Sequence, residues 1–149
     1  MNSEVKVRVA ADQDMLPVRA EGRALADRLG FSRTDATLIA TAISEIARNI
    51  IVHAGSGEVT LTPLYEEERA GIAVVACDSG PGIRDVKAAL EDGFSGVNGG
   101  TGLGLPGARR LMDEFEITSR PGEGTTVTMK KWRQRDELER LHEQRNGGE

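Results

Sequence analysis

Two glycine clusters constrain this chain more than any other feature. The first, Asp78-Ser79-Gly80-Pro81-Gly82, follows an apolar strand-like run over 72–77. The second, Gly99-Gly100-Thr101-Gly102-Leu103-Gly104-Leu105, runs straight into a helical pattern over 103–112. Glycine permits tight turns and close approach of backbone to a ligand, and a helix start offers unpaired N–H groups to an anion. A carboxylate at a strand end, two such turns and a helix start together imply a nucleotide pocket. Most of the remaining chain then reads as scaffold for it.

The scaffold has one domain's worth of residues, 149 in all, enough for one sizeable core. Aromatic residues make up only 3%, so Val, Ile, Leu and Ala must fill that core. The net charge of −5 argues against nucleic acid as a partner. The single cysteine, Cys77, excludes an internal disulfide and a thiolate zinc site. Its place in the apolar run predicts a small buried residue. There is no signal-peptide pattern, lipidation motif or apolar run of about 18 residues. A cytoplasmic protein with no membrane contact is expected.

In order, residues 5–9 alternate Val with Lys6 and Arg8, a half-buried strand. Asp12 is placed to cap a helix running to 29, with Leu16, Ala20, Ala24 and Leu25 as its stripe and Gly30 as its end. Ser32-Arg33-Thr34-Asp35 resembles a capping box that opens a second helix to about 53. Strands are expected over 58–65 and 71–77, joined by a loop longer than two residues. A short helix follows over 84–90. The stretch 91–101, rich in Gly with Ser95 and Asn98, has the composition of a mobile lid. A third long helix over 103–113 and strands over 116–120 and 125–131 close the domain. A polar tail, 134–149, follows the globular part at 1–133.

The second helix carries the candidate chemistry. At about 100° per residue, Leu38, Ile39, Ala42, Ile43, Ile46, Ala47 and Ile50 share one apolar arc. Glu45 and Asn49 are four apart and lie at its edge, where polar side chains lose water and need a partner. A carboxylate and an amide one turn apart suit a hydroxyl nucleophile and a hard Mg²⁺ ion; a surface Glu with a capping Asn is the bland alternative. Asp78 is either a turn-forming Asx residue or an acceptor for an exocyclic amine. His53 reads as a helix-end residue, favourable there if charged. No strand precedes Gly102-Leu103-Gly104 and no Gly-Lys-Ser/Thr occurs, so neither a Rossmann nor a P-loop site fits.

Order and spacing sharpen these fragments. Glu45-x-x-x-Asn49, Asp78-x-Gly80-x-Gly82, Gly102-x-Gly104-Leu105 and Gly124-Thr125 resemble the N, G1, G2 and G3 boxes of the GHKL ATPase/kinase superfamily. The run 41–50 resembles the N box of the small serine/threonine kinases of the anti-sigma-factor class, and Glu91-Asp92-Gly93-Phe94-Ser95, Gly104-Leu105-Pro106-Gly107 and the run 110–115 are similar to the RsbT-like switch kinases of that superfamily. The resemblance implies a Bergerat-type α/β (α+β) two-layer sandwich, a mixed sheet with helices on one face. It implies ATP with Mg²⁺. Asp78 would take the adenine amine, with Thr125 supporting the same edge. Gly80 and Gly82 would pass close to the base. Gly102, Gly104 and Leu105 would open the helix that faces the phosphates, and 94–101 would be the lid. Asn49 would ligate the metal and Glu45 act as general base. With no room for a histidine-bearing dimerisation helix, the acceptor would be a Ser or Thr of a STAS-domain protein, and a PP2C-type phosphatase a second partner. Two other readings stay open: an anti-sigma factor kinase that sequesters a sigma factor, and a nucleotide-binding module without chemistry.

Overall fold

The computed structural model describes residues 4–66, 68–90 and 104–133. The expected lid, Gly102 and the tail lie outside these. Strand β1, Val5–Val9, leads through a 3-10 turn at Asp12–Asp14 into α1, Met15–Arg28. Asp12 is not the cap. The Asp14 carboxylate reaches back instead, accepting the N–H of Ala10 at 2.8 Å and of Ala11 at 3.0 Å. Ala11 has extended backbone, so the acid three residues later is the one that meets the free N–H groups.

The buried stripe of α1 also differs from the expected one. Val18, Gly22, Leu25 and Ala26 are buried, whereas Leu16 is 76% exposed and Ala20 is exposed. The cause is Gly22. A Cβ there would stand 2.2 Å from Ile43 Cδ1, so the neighbouring helix enters the gap and the contact line runs through the glycine.

That neighbour is α2, Arg33–His53. Ser32 Oγ accepts the Asp35 N–H at 3.0 Å, satisfying one unpaired donor of the first turn. The helix stops where Gly55, at φ +86°, turns the chain and returns its N–H to Ile50 O at 2.9 Å. The expected arc is buried along Ile39, Ala42, Ile43, Ile46, Ala47 and Ile50, with Leu38 half-buried.

Strands β2, Gly57–Glu66, and β3, Arg69–Asp78, form a hairpin. Their register runs to Glu66↔Arg69, leaving only positions 67 and 68 between them, so the turn is tighter than expected. After α3, Val86–Ala89, and α4, Gly104–Leu111, come β4, Glu114–Arg120, and β5, Gly124–Trp132. Both late helices are shorter than the sequence pattern suggested. The sheet order is β1-β2-β3-β5-β4. Its four pairings are all antiparallel, where a mixed sheet was expected; the two-layer α+β sandwich itself is as expected.

The helices cover one face. Val59, Leu61, Ile72, Val74, Ala76, Val127 and Met129 point into them and form one cluster with α2. Alternate residues face away from the core. This explains Cys77, which is exposed rather than buried. It pairs with Glu58 and Thr126 on the uncovered face, and its Sγ lies 3.5 Å from Thr126 Oγ1.

Candidate functional site

Asp78 is the last residue of β3, and Thr125 stands opposite it in the β3–β5 register. Both continue the series that points toward the helices. Asp78 Oδ1 accepts the Gly80 N–H at 2.9 Å, an Asx turn that fixes the carboxylate plane. Among the described residues its Oδ2 has no hydrogen-bond partner. Thr125 is 6% exposed and its Oγ1 lies 2.7 Å from Ser119 Oγ. Ser119 accepts the Ile83 N–H at 2.7 Å and donates to Gly124 O at 3.0 Å. A hydroxyl carries one proton. With that proton on Gly124 O, Thr125 donates to Ser119 and keeps its own lone pairs for another donor. Asp78 and Thr125 thus offer two acceptors side by side at the sheet's end.

Protein neighbours by themselves already require glycine at two positions of the first cluster. A Cβ at Gly80 would stand 2.5 Å from Ala54 Cβ. At Gly82, which has φ +79°, it would stand 2.1 Å from Arg120 O. Protein atoms fill the space in both cases, so these residues are glycine to let the loop pass between the end of α2 and the β4–β5 turn. Gly124, at φ +85°, similarly lets β5 pass the Asp78 carbonyl, 2.1 Å from where its Cβ would lie.

Beyond this loop a cavity of about 270 Å³ opens. Asn49 and His53 of α2, residues 81–85 and Leu105 of α4 wall it. Of the residues singled out from sequence, Asn49, Gly82 and Leu105 line the cavity directly. Asp78, Gly80 and Thr125 sit at the root of the loop that forms its wall.

Glu45 and Gly104 are not among its lining residues but are joined to each other, each close in sequence to one that is. Glu45 is 5% exposed, and its Oε1 accepts the Gly104 N–H at 3.0 Å. Gly104, at φ +53°, is the first residue of α4. The other end of that helix is held from β5, where Lys131 Nζ donates to Leu111 O at 3.0 Å and stands 3.7 Å from Asp113 Oδ1. Negative charge at the start and positive charge at the end both suit the helix dipole.

Sequence reasoning missed His53 as a wall residue, and also residues 81, 83, 84 and 85 and the linking Ser119. His53 carried a usable signal: it is four residues past Asn49 and eight past Glu45, on one stripe of α2. Ser119 carried none, because it meets Ile83 across 36 positions. No group of three or more His, Cys, Asp or Glu suited to a metal occurs among the described residues. Nor is any helix among them long and apolar enough to cross a membrane.

The histidine kinase-like ATPase domain family matches residues 9–131. The chain is 45% identical over 132 residues to the serine/threonine-protein kinase RsbT of Bacillus subtilis (strain 168), covering 89% of this chain and 98% of that one. It is 35% identical over 99 residues to an anti-sigma F factor of Caldanaerobacter subterraneus subsp. tengcongensis, covering 63% of this chain and 68% of the relative. Among solved structures it matches the RsbU and RsbW domains of Rv1364c from Mycobacterium tuberculosis with a TM-score of 0.56 at 22% identity. That match covers 87% of this chain and 32% of the other, and it bears on the fold alone. With its five-stranded sheet, its helix layer on one face and its likeness to RsbT over 89% of its length, the chain belongs to the histidine kinase-like ATPase domain family and, within it, to the RsbT-like serine/threonine-protein kinases.

Proposed function

We propose that this kinase transfers the γ-phosphate of ATP to a serine or threonine of a STAS-domain protein, and that it activates a PP2C-type phosphatase by binding. The observation that carries the reading is the convergence on one cavity of Asn49 from α2, the loop after Asp78 and the start of α4. Asp78 Oδ2 is open to receive the adenine amine, and Thr125 accepts from the same edge directly or through water. A keto base would meet two acceptors there and be rejected, because a buried unpaired acceptor is costly.

The donor set fits Mg²⁺. Asn49 offers one hard oxygen on the cavity wall, and without a carboxylate cluster nearby the ion would be shared with phosphates and water, as Mg²⁺ commonly is. When bound, the ion supplies neutralisation of the phosphate charge. The protein's part is placement. Asn49 orients the phosphates, the N-terminal end of α4 with Gly104 and Leu105 faces them, and Glu45 takes or orients the proton of the acceptor hydroxyl. The acceptor lies on another protein.

The test is incubation with STAS-domain proteins and labelled ATP. Phosphoserine or phosphothreonine is expected, and it disappears in Glu45→Ala. No transfer to any STAS candidate would overturn the substrate assignment. A sigma subunit co-purifying with the kinase would favour the anti-sigma reading, which the weaker and shorter likeness to an anti-sigma F factor also motivates. A stimulated PP2C phosphatase in the presence of the kinase supports the second role.

A further inference from the structure

Glu45, Thr125 and Lys131 are the buried polar or charged residues among those described. Thr125 belongs to the base-binding edge, and Lys131 ends on the last carbonyl of α4. Glu45 is the unusual one. A group expected to handle a proton on the substrate is withdrawn from solvent, and its Oε1 is engaged by the first N–H of α4. Glu45 itself does not line the cavity, whereas Asn49, one turn later on α2, and Leu105, the residue after Gly104, both do. The carboxylate therefore meets the helix start next in sequence to residues of the cavity wall.

We propose that the Glu45 carboxylate is a latch on α4 that competes with the phosphates of an incoming nucleotide for the Gly104 N–H. This rests on the reading above, in which the start of α4 faces the phosphates. One amide proton serves one strong acceptor, and two anions held close together out of water repel. Either the phosphate displaces the carboxylate, or the carboxylate weakens phosphate binding while it stays.

Displacement has a chemical consequence. The released Glu45 stands one turn from Asn49, on the same stripe of α2, where a hydroxyl near the phosphates would need its base. The base then becomes available only when the phosphates have arrived. In this structure the carboxylate is engaged by backbone and α4 is held at both ends, by Glu45 at Gly104 and by Lys131 at Leu111.

The charge of Glu45 is thus predicted to oppose binding of the triphosphate but not of the base. Glu45→Gln keeps an acceptor for Gly104 but makes the bond neutral, roughly half as strong. Glu45→Asp keeps the charge but draws it back by one methylene. Calorimetry on the full chain would measure Mg-ATP and adenosine with wild type and both variants, with thermal midpoints to verify folding. Expected is ATP affinity raised about five- to tenfold in both variants, a coupling of ordinary size, with adenosine affinity within about twofold of wild type. A merely structural role would shift both ligands together, and that outcome overturns the latch. So does ATP affinity that is unchanged or lower while adenosine still binds. Wild type that binds neither ligand overturns the pocket reading itself, and the latch with it.

Discussion

Replacing Asp78 by Asn tests the proposed base-recognition edge with little disturbance to the fold. Oδ1 of Asp78 accepts the Gly80 N–H at 2.9 Å, and the Asx turn depends on it. In the Asp78→Asn variant only the carbonyl oxygen of the new amide can accept that N–H, so the turn dictates the amide's orientation. The NH₂ group is then forced into the place of Oδ2, facing the adenine amine, donor against donor. The variant loses a hydrogen bond to a charged acceptor, an effect of about 1.5–3 kcal/mol, or roughly 10–150-fold in Kd. Inosine triphosphate carries a keto oxygen where ATP carries the amine, and the new NH₂ can donate to it. Calorimetry with both nucleotides should show ATP weakened by that factor and inosine triphosphate weakened less or improved. The thermal midpoint should move little, because the Gly80 bond survives. Equal weakening of both nucleotides, or ATP binding at wild-type strength, would refute the assignment of Asp78 to the amine.

Three further outcomes follow from the packing. Gly82→Ala forces a side chain into φ +79° with its Cβ 2.1 Å from Arg120 O; urea denaturation should show a loss of at least about 2 kcal/mol, and a smaller loss would mean that the loop shifts freely. Ser119→Ala removes the hydroxyl that accepts the Ile83 N–H at 2.7 Å; about 1–2 kcal/mol of stability should go, together with several-fold in ATP affinity as the cavity wall loosens, and calorimetry with no change in affinity would count against that coupling. Gly22→Ala should gain up to about 1 kcal/mol of helix propensity but lose about 1–3 kcal/mol to its clash with Ile43 Cδ1. Ile43→Val removes that atom, and the next nearest would lie 3.6 Å away. The double variant should therefore be more stable than the sum of the single effects in urea melts; simple additivity would refute the account of how α1 and α2 meet.

Much of the fold could be read from local pattern because local pattern causes it. The Val5–Val9 alternation, the Ser32 cap and the arc of α2 each depend on residues within a few positions. The misreadings share a different cause. The run 72–77 is apolar throughout and suggests burial on both faces, yet helices cover only one, so Cys77 faces outward while Ala76 is in the core. The stripe of α1 was drawn through its apolar side chains, yet the helices approach most closely at Gly22, which has none. Both depend on what stands across the interface.

The candidate site divides along the same line. Glu45 with Asn49, Asp78 with Gly80 and Gly104 with Leu105 are pairs close in sequence, and spacing alone identifies them. What holds them in place is distant in sequence. Ser119 fixes the loop at Ile83, and Glu45 reaches Gly104 across 59 positions. Helix α4 makes the point most clearly. At eight residues it is far below the roughly 12–15 that an isolated helix needs in water, so its own hydrogen bonds do not keep it in position. Tertiary contacts must do so: an apolar side through Leu105 and Ala108, a carboxylate from α2 at one end and an ammonium from β5 at the other. The glycines mark where the turn is allowed. The position of α4 is set by charges on two other elements, and one of them, Lys131, stands in no motif.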